Sequence, residues 1–325
     1  MKYFVTSDTH SFLSELKLAL KEAGYDKRNK EHVFVLCGDL LDRGPESAKL
    51  IKFVRSIPKK RRILIRGNHE ELFCSLVRRR QAYRYDVSNR TLNSILNMNN
   101  FPSTDEDIQH YLRYDFDGLM SVLEDCFNSD ITKEYVEWIN SKDWVDWYDL
   151  DTPKEKFTFV HSFIPLRKTY GFGLLSSEVT PKMCEYNPNW RNDCTQDERD
   201  DARWGKPFAF YDAGLFKEDR TLVCGHWHVG ANDYANSFRA HYFNNVNHDS
   251  DRYFEERLAA VRNNDVFRGN GIIGLDACTA LSGQVNVMVI DEEGNTYQHN
   301  KLLEKENDAP VRDQCYNFAF VSKIR

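Results

Sequence analysis

An α/β fold is what this sequence predicts, and three observations carry the prediction. Short β-rich runs alternate with helix-period segments over the first 70 residues. The run HVFVLC (32–37) is apolar without alternation, as in a strand covered on both faces. Clusters of Asp, His, Asn and Arg follow directly after such runs, and strand ends are where α/β proteins place their ligands.

The elements can be taken in order. KYFVTS (2–7) is a short strand. SFLSELKLALKEAGY carries Leu13, Leu16 and Leu20 on one helical face, with Gly24 as a stop. HVFVLC is the second strand. Pro45 suits the first turn of a helix whose Leu50, Ile51 and Val54 face inward. RILIR (62–66) completes a β-α-β-α-β opening. Residues 71–150 read as a helical insertion without a strong strand. Strands return at KFTFVH (156–161), TLVCG (221–225), GIIGLDA (271–277) and QVNVMVID (284–291). Two long polar connections, 166–220 and 229–270, separate them, and loops of that length are usually functional or mobile. One domain over 1–325 is expected, with the helical insertion at 71–150 and a long loop insertion at 229–270.

Composition narrows the function classes. With 41% hydrophobic, 29% charged and 13% aromatic residues, the chain is that of an ordinary globular protein. A net charge of -6 argues against a nucleic-acid partner. No run approaches the roughly 20 apolar residues of a membrane helix, and MKYFVTSDTH has no signal-like core. The eight cysteines are scattered, with no C-x-x-C pair, so buried reduced thiols and a cytoplasmic location are expected. Oligomeric state is left open.

The residues past each strand form a constellation. They are Asp8-Thr9-His10, then Gly38-Asp39-Leu40-Leu41-Asp42-Arg43-Gly44, then Gly67-Asn68-His69-Glu70, then His161, then Gly225-His226-Trp227-His228. Five of the ten histidines lie there. Carboxylates, imidazoles and an amide oxygen on one rim suit borderline-hard divalent ions. In D-x-H and H-x-H, side chains two apart on a strand end point the same way and could reach one ion. Seven candidate ligands exceed one tetrahedral ion, whereas two ions ~3.5–4 Å apart with a carboxylate between them would use them all. Around these motifs, Arg66 and Glu70 read as a structural pair, and KKRR (59–62) and RRR (78–80) as solvated faces.

The series DTH, GDLLDRG, RGNHE, VHS and GHWH resembles the calcineurin-like metallophosphoesterases. GDLLDRG with RGNHE is similar to the serine/threonine protein phosphatase branch and its relatives, the bis(5'-nucleosyl)-tetraphosphatases. The resemblance covers about 1–70, 157–165 and 221–291. Ser11, Ser162-Phe163 and Cys278 depart from that branch's pattern, and GHWH has the form of the wider superfamily. The resemblance implies a four-layer αββα sandwich. It implies that Asp8, His10 and His228 hold a first metal, that Asp39 bridges, and that Asn68, His161 and His226 hold a second. It makes His69 the acid for the leaving group, oriented by Asp42, and gives phosphate binding to Arg43, with Asn68 facing the substrate and Arg203 as a second phosphate-binding arginine. Two divalent ions per chain are implied, manganese first, with iron, zinc, magnesium or nickel as alternatives.

The reading is a metal-dependent phosphoester hydrolase of the protein-phosphatase type acting on a phosphorylated protein or a nucleotide. Dinucleoside polyphosphate (diadenosine tetraphosphate) hydrolysis and phosphodiester hydrolysis are the enzymatic alternatives. A phospho-ligand binding protein without turnover is the alternative from another class.

Overall fold

In the computed structural model, which describes residues 1–79, 91, 124–169, 180–229 and 264–304, the alternation becomes two sheets with helices outside them. The chain runs β1 (Lys2–Thr6), α1 (Leu13–Glu22), β2 (His32–Cys37), α2 (Ser47–Arg55), β3 (Arg62–Ile65) and α3 (Asn68–Arg79). Then come α4 (Asp130–Ile139), β4 (Trp144–Val145), β5 (Trp147–Asp151), β6 (Lys156–Val160) and β7 (Arg167–Lys168). β8 (Cys184–Glu185), α5 (Trp190–Asp193), α6 (Gln196–Trp204), α7 (Pro207–Asp212) and β9 (Thr221–Cys224) follow. The described chain closes with β10 (Phe267–Arg268), β11 (Ile272–Gly274), α8 (Thr279–Ser282), β12 (Met288–Ile290), β13 (Thr296–Gln298) and β14 (Lys301–Leu302).

One sheet has the order β14-β13-β12-β1-β2-β3-β4 and the other β10-β11-β9-β6-β5, with β7 and β8 paired separately. β1, β2, β3 and β4 are parallel, as are β6, β9 and β11. Val5, Val35 and Ile65 of the first sheet meet Phe157, Phe159, Val223 and Ile273 of the second in one core. The opposite face of the first sheet, with Phe34 and Leu64, packs on Leu16 and Leu20 of α1, Ile51 of α2 and Phe73 of α3. The outer face of the second sheet, with Leu222 and Ile272, packs on Trp190 and Phe208. The four-layer αββα arrangement follows from these three clusters. Strands buried on both faces need apolar residues at every position, which is why HVFVLC does not alternate. Fully burying each such Leu or Phe is worth about 1.5–3 kcal/mol.

The α1 stop behaves as read. Gly24 has φ +81°, its N–H donates to Lys21 O and that of Tyr25 to Leu20 O, the paired bonds that end a helix on a left-handed glycine. Other expectations need correction. α2 starts at Ser47 after Glu46, so Pro45 precedes the helix instead of occupying its first turn. The segment 71–150 is not strandless, because β4 and β5 form the edges of the two sheets and α4 packs beside α3 in the first core. Two short strands give too little period to be seen in sequence. Among its described residues the connection 166–220 holds two strands, a 3-10 turn and three α-helices, and 267–268 of the second connection is strand. The rest of the expected loop insertion, 230–263, lies outside the described residues, as do 80–90 and 92–123 of the expected helical one.

In KKRR, Lys59 and Lys60 are exposed as expected, but the two arginines are stitches. Arg62 is buried and donates to the carbonyls of Val54, Arg55 and Ile57 at the end of α2, and to Asp143. Arg61 donates to the carbonyls of Lys27 and Asn29. Cations over a helix C-terminus satisfy carbonyls that have no partner within the helix. Arg78 and Arg79 are exposed as expected. Of the described cysteines, all are free thiols and all but Cys184 are buried. No helix among the described residues is long and apolar enough to cross a membrane.

Candidate metal centre

The strand ends of the two sheets meet at one rim. Asp8, His10 and Ser11, past β1, run alongside the loop past β2, with N–H groups donating to Gly38 O, Asp39 O and Leu40 O. The side chains of D-x-H do not emerge from an extended strand end as the spacing suggested. Asp8, His10, Asp39, Asp42, Arg43 and His226 all have positive φ, between 43° and 68°. Asp and His enter the left-handed region more readily than most residues, yet each such residue costs of order 1 kcal/mol unless its surroundings hold it. Here the surroundings are packed. A Cβ at Gly225 would fall on the Ser7 hydroxyl and the Asp8 carboxylate, and one at Gly38 on the His161 ring.

Glu70 holds the central loop. Its buried carboxylate accepts the N–H groups of Asp39 (3.0 Å), Leu40 (2.8 Å), Leu41 (3.2 Å) and Gly67 (2.9 Å). Burial, with the nearby Asp39 charge, pushes its carboxyl up to about 7. The Arg66–Glu70 pair expected from sequence does not form, since Glu70 is occupied by backbone and Arg66 donates to Ile139 O. An unsatisfied buried donor costs about 1–3 kcal/mol. Glu70→Ala strands four of them, so unfolding free energy should drop by about 3 kcal/mol or more in a urea titration. A drop below about 1 kcal/mol would mean that the loop holds itself.

Asp39 is shared by two clusters. His10, Asp39 and His69 converge on one side, and Asp39, His161 and His226 on the other. His10 Nε2 lies 3.8 Å from Asp39 Oδ2 and 3.9 Å from Asp8 Oδ1, and His161 Nε2 lies 3.4 Å from Asp39 Oδ1. Asn68 Oδ1 completes the second cluster, 2.8 Å from His161 Nε2 and 3.0 Å from His226 Nδ1.

The atoms facing inward are lone pairs. His10 Nδ1 donates to Leu41 O (3.0 Å) and His161 Nδ1 to Cys37 O (2.9 Å), because a carbonyl can only accept. That leaves each Nε2 as an acceptor aimed into the cluster, and His10 Nε2 is buried with no partner. Burial pushes His10, His161 and His226 below the ordinary imidazole range, so they are neutral and able to ligate. Burial, then the carboxylates of Asp276 and Asp39, push the Asp8 carboxyl well up. The Asn68 amide sits against these lone pairs and can turn its nitrogen to them as a donor or its oxygen to a cation. The donor set therefore fits divalent ions: buried, neutral or anionic, and without counter-charge of its own.

His69 differs from its neighbours. Its Nδ1 donates to Asp42 Oδ2 at 3.0 Å. Burial disfavours its cation, but Asp39 and the Asp42 hydrogen bond outweigh burial and hold its pKa above the ordinary value. His69 Nε2 also stands 3.9 Å from Asp39 Oδ2. Thr91 fixes Asp42 in turn, accepting its N–H at 3.0 Å and donating to Oδ1 at 2.7 Å. Arg43 Nη2 lies 3.5 Å from His69 Nε2, and the guanidinium forms no ion pair with the described residues.

Arg203 falls elsewhere, and His228 is in neither of the two clusters. Arg203 is buried, with Nη1 donating to Asp200 (2.6 Å) and Glu71 (3.2 Å), and Nη2 to Asp146 (2.7 Å). Three carboxylates occupy the donors that phosphate binding would need, so its expected role is corrected to a tie between α6, α3 and the β4–β5 corner. His228 does not join His226. His226 takes a left-handed turn, and His228 Nε2 faces Asp276 Oδ2 at 3.7 Å. Glu70's clamp, Thr91 and Asp276 are site features that sequence reasoning did not assign. No local signal marks Thr91 or the backbone partners of Glu70.

The calcineurin-like phosphoesterase pattern matches residues 1–230. The chain belongs to the calcineurin-like phosphoesterase family. Within it, the chain is 36% identical over 70 residues to the symmetrical bis(5'-nucleosyl)-tetraphosphatase of Hamiltonella defensa, covering 22% of this chain and 24% of that one. It is 34% identical over 76 residues to the asymmetrical bis(5'-nucleosyl)-tetraphosphatase of Bacillus subtilis, covering 21% and 31%. The chain thus spans only about a quarter to a third of the length of these relatives. The cold-active protein-tyrosine phosphatase of a psychrophilic Shewanella species superposes with a TM-score of 0.45 at 13% identity, over 93% of this chain and 80% of that one.

Proposed function

We propose that this protein hydrolyses phosphoric esters with two divalent ions, manganese first among them. The observation that carries the reading is a single buried carboxylate, Asp39, with His10 and His69 on one side and His161 and His226 on the other. Asp8, His10 and His228 would serve the first ion, Asn68, His161 and His226 the second, and Asp39 both. What bound divalent ions supply there is Lewis acidity, which lowers the pKa of water and offsets phosphoryl charge. Water provides the oxygen that bonds to phosphorus as the bond to the leaving oxygen breaks. His69, its Nδ1 bonded to Asp42, delivers a proton to that leaving oxygen. Arg43, without a carboxylate partner among the described residues, offers its fork of donors to phosphate oxygens. The His69–Asp42 pair argues against a non-catalytic phospho-ligand binder, because binding alone needs no acid.

The substrate we infer is a dinucleoside polyphosphate. The names of the relatives support it over the motif-bearing stretch. So does the rim beside His226, where the Trp204 ring lies 6.2 Å from that of His226 and Lys206 Nζ lies 5.6 Å from the Trp227 ring. Aromatic faces and an ammonium suit a base and its phosphates. GDLLDRG with RGNHE favours a second reading, a phosphorylated protein. A panel of p-nitrophenyl phosphate, its bis ester, phosphopeptides and diadenosine tetraphosphate, run on manganese-loaded protein, decides between them. The highest kcat/KM is expected for the tetraphosphate. A phosphopeptide preference would transfer the reading to a protein phosphatase, and no turnover of any substrate by folded, loaded protein would end it.

A further inference from the structure

A chain of buried hydroxyls stands behind the His69–Asp42 pair. Ser11, Ser47 and Thr91 are each fully buried. Ser11 Oγ lies 2.6 Å from Ser47 Oγ, and Ser47 Oγ lies 3.3 Å from Thr91 Oγ1. Thr91 Oγ1 lies 2.7 Å from Asp42 Oδ1 and accepts the Asp42 N–H at 3.0 Å. The carboxylate end sets the direction of the chain. An ionised carboxylate only accepts and a hydroxyl carries one proton, so Thr91 donates to Asp42, Ser47 to Thr91 and Ser11 to Ser47. Hydrogen bonds that run one way in a dry interior polarise one another, and each strengthens the next. The far end is fixed too, because the Ser11 N–H donates to Leu40 O and its carbonyl accepts the Glu46 N–H. With Oδ1 and the backbone N–H of Asp42 both held by one hydroxyl, the carboxylate turns Oδ2 to His69 Nδ1 at 3.0 Å. The opposite ring nitrogen, Nε2, is left on the Asp39 side.

We propose that Thr91, backed by Ser47 and Ser11, is a positioning residue for the leaving-group acid. It locks the Asp42 carboxylate and, through it, holds the His69 ring with Nε2 towards Asp39. This rests on the acid role read for His69 above. Proton transfer needs donor and acceptor within about 2.6–3.2 Å, and a misplacement of about 1 Å can cost roughly 10²-fold in rate. A carboxylate free to turn would let the ring drift by that much. Thr91 lies 49 positions from Asp42, within the stretch read from sequence as an insertion, and so brings that stretch to the acid.

The test has a kinetic and a spectroscopic arm. Thr91→Val removes the hydroxyl and keeps the shape. On manganese-loaded protein it should lower kcat for alkyl phosphates by roughly 10–100-fold, lower that for p-nitrophenyl phosphate much less, and leave manganese content unchanged. Thr91→Ser, which keeps the hydroxyl, should recover most of the loss. In a His69→Asn background, Thr91→Val should cost nothing further on alkyl phosphates. Equal losses on both substrates, or a full additional loss without His69, would make Thr91 a packing residue and overturn the proposal. Ser47→Ala should show the same leaving-group dependence at smaller amplitude, and wild-type rates from it would overturn the part given to the chain. The second arm needs no turnover. The Nδ1 proton of His69, identified in NMR spectra by its loss in His69→Asn, should exchange with water faster in Thr91→Val than in wild type, and unchanged exchange overturns the proposal. If Thr91→Val does not fold, Ser47→Ala decides by the same comparisons. If wild-type protein hydrolyses no ester, the acid reading falls, while proton exchange still decides whether Thr91 holds the pair.

Discussion

Asp39→Asn is expected to cause the largest loss of any single substitution. Metal content after reconstitution with manganese should fall from about two per chain toward zero, because one carboxylate serves both clusters. The rate on p-nitrophenyl phosphate should fall with it, by roughly 10³-fold if several kcal/mol of charge stabilisation is at stake. The fold should survive. Asn tolerates the left-handed backbone at this position, and its side-chain oxygen can still accept the His69 N–H that Asp39 Oδ1 accepts at 3.0 Å. Elemental analysis and circular dichroism on the same sample separate the two effects. Retention of two tightly held ions would sink the bridging role of Asp39.

His69→Asn should separate substrates by leaving group. Alkyl phosphates need a proton on the departing oxygen, so their hydrolysis should slow by roughly the 10²–10⁴-fold typical of general acid catalysis. p-Nitrophenyl phosphate departs as a stable phenolate and should lose much less. Metal content should be unchanged, since His69 Nδ1 is taken by Asp42 and His69 is not in the proposed ligand set. Equal losses on both substrates, or loss of metal, would show that His69 is not the acid.

Much of the site was legible because its residues lie just past strands that are themselves legible. An unbroken apolar run such as HVFVLC marks a doubly covered strand, and the polar residues after it must emerge at the sheet edge. That reasoning collected Asp8, His10, Asp39, Asn68, His161 and His226, and the structure brings them together. It also paired His69 with Asp42 across 27 positions by resemblance, and the 3.0 Å contact agrees. Reasoning of this kind failed where geometry depends on backbone twist. D-x-H and H-x-H were read as side chains sharing one strand face, but both motifs pass through left-handed residues, and His228 ends beside Asp276.

What the sequence determined alone was local: which runs extend, which residues follow them, and so which donor types reach the rim. A carboxylate or a guanidinium does not announce its partner, because hydrogen bonds in a buried site join residues far apart in the chain. Glu70 might have paired with Arg66 and instead clamps a loop some 30 positions upstream. Arg203 has the charge for phosphate and is claimed by Asp146, Asp200 and Glu71. Thr91, within the expected insertion, fixes Asp42. Which nitrogen of each imidazole faces the cluster is set by the acceptor at the other nitrogen, a carbonyl for His10 and His161. Only the tertiary structure decides these, because a buried polar group takes whichever partner the packed elements bring within reach.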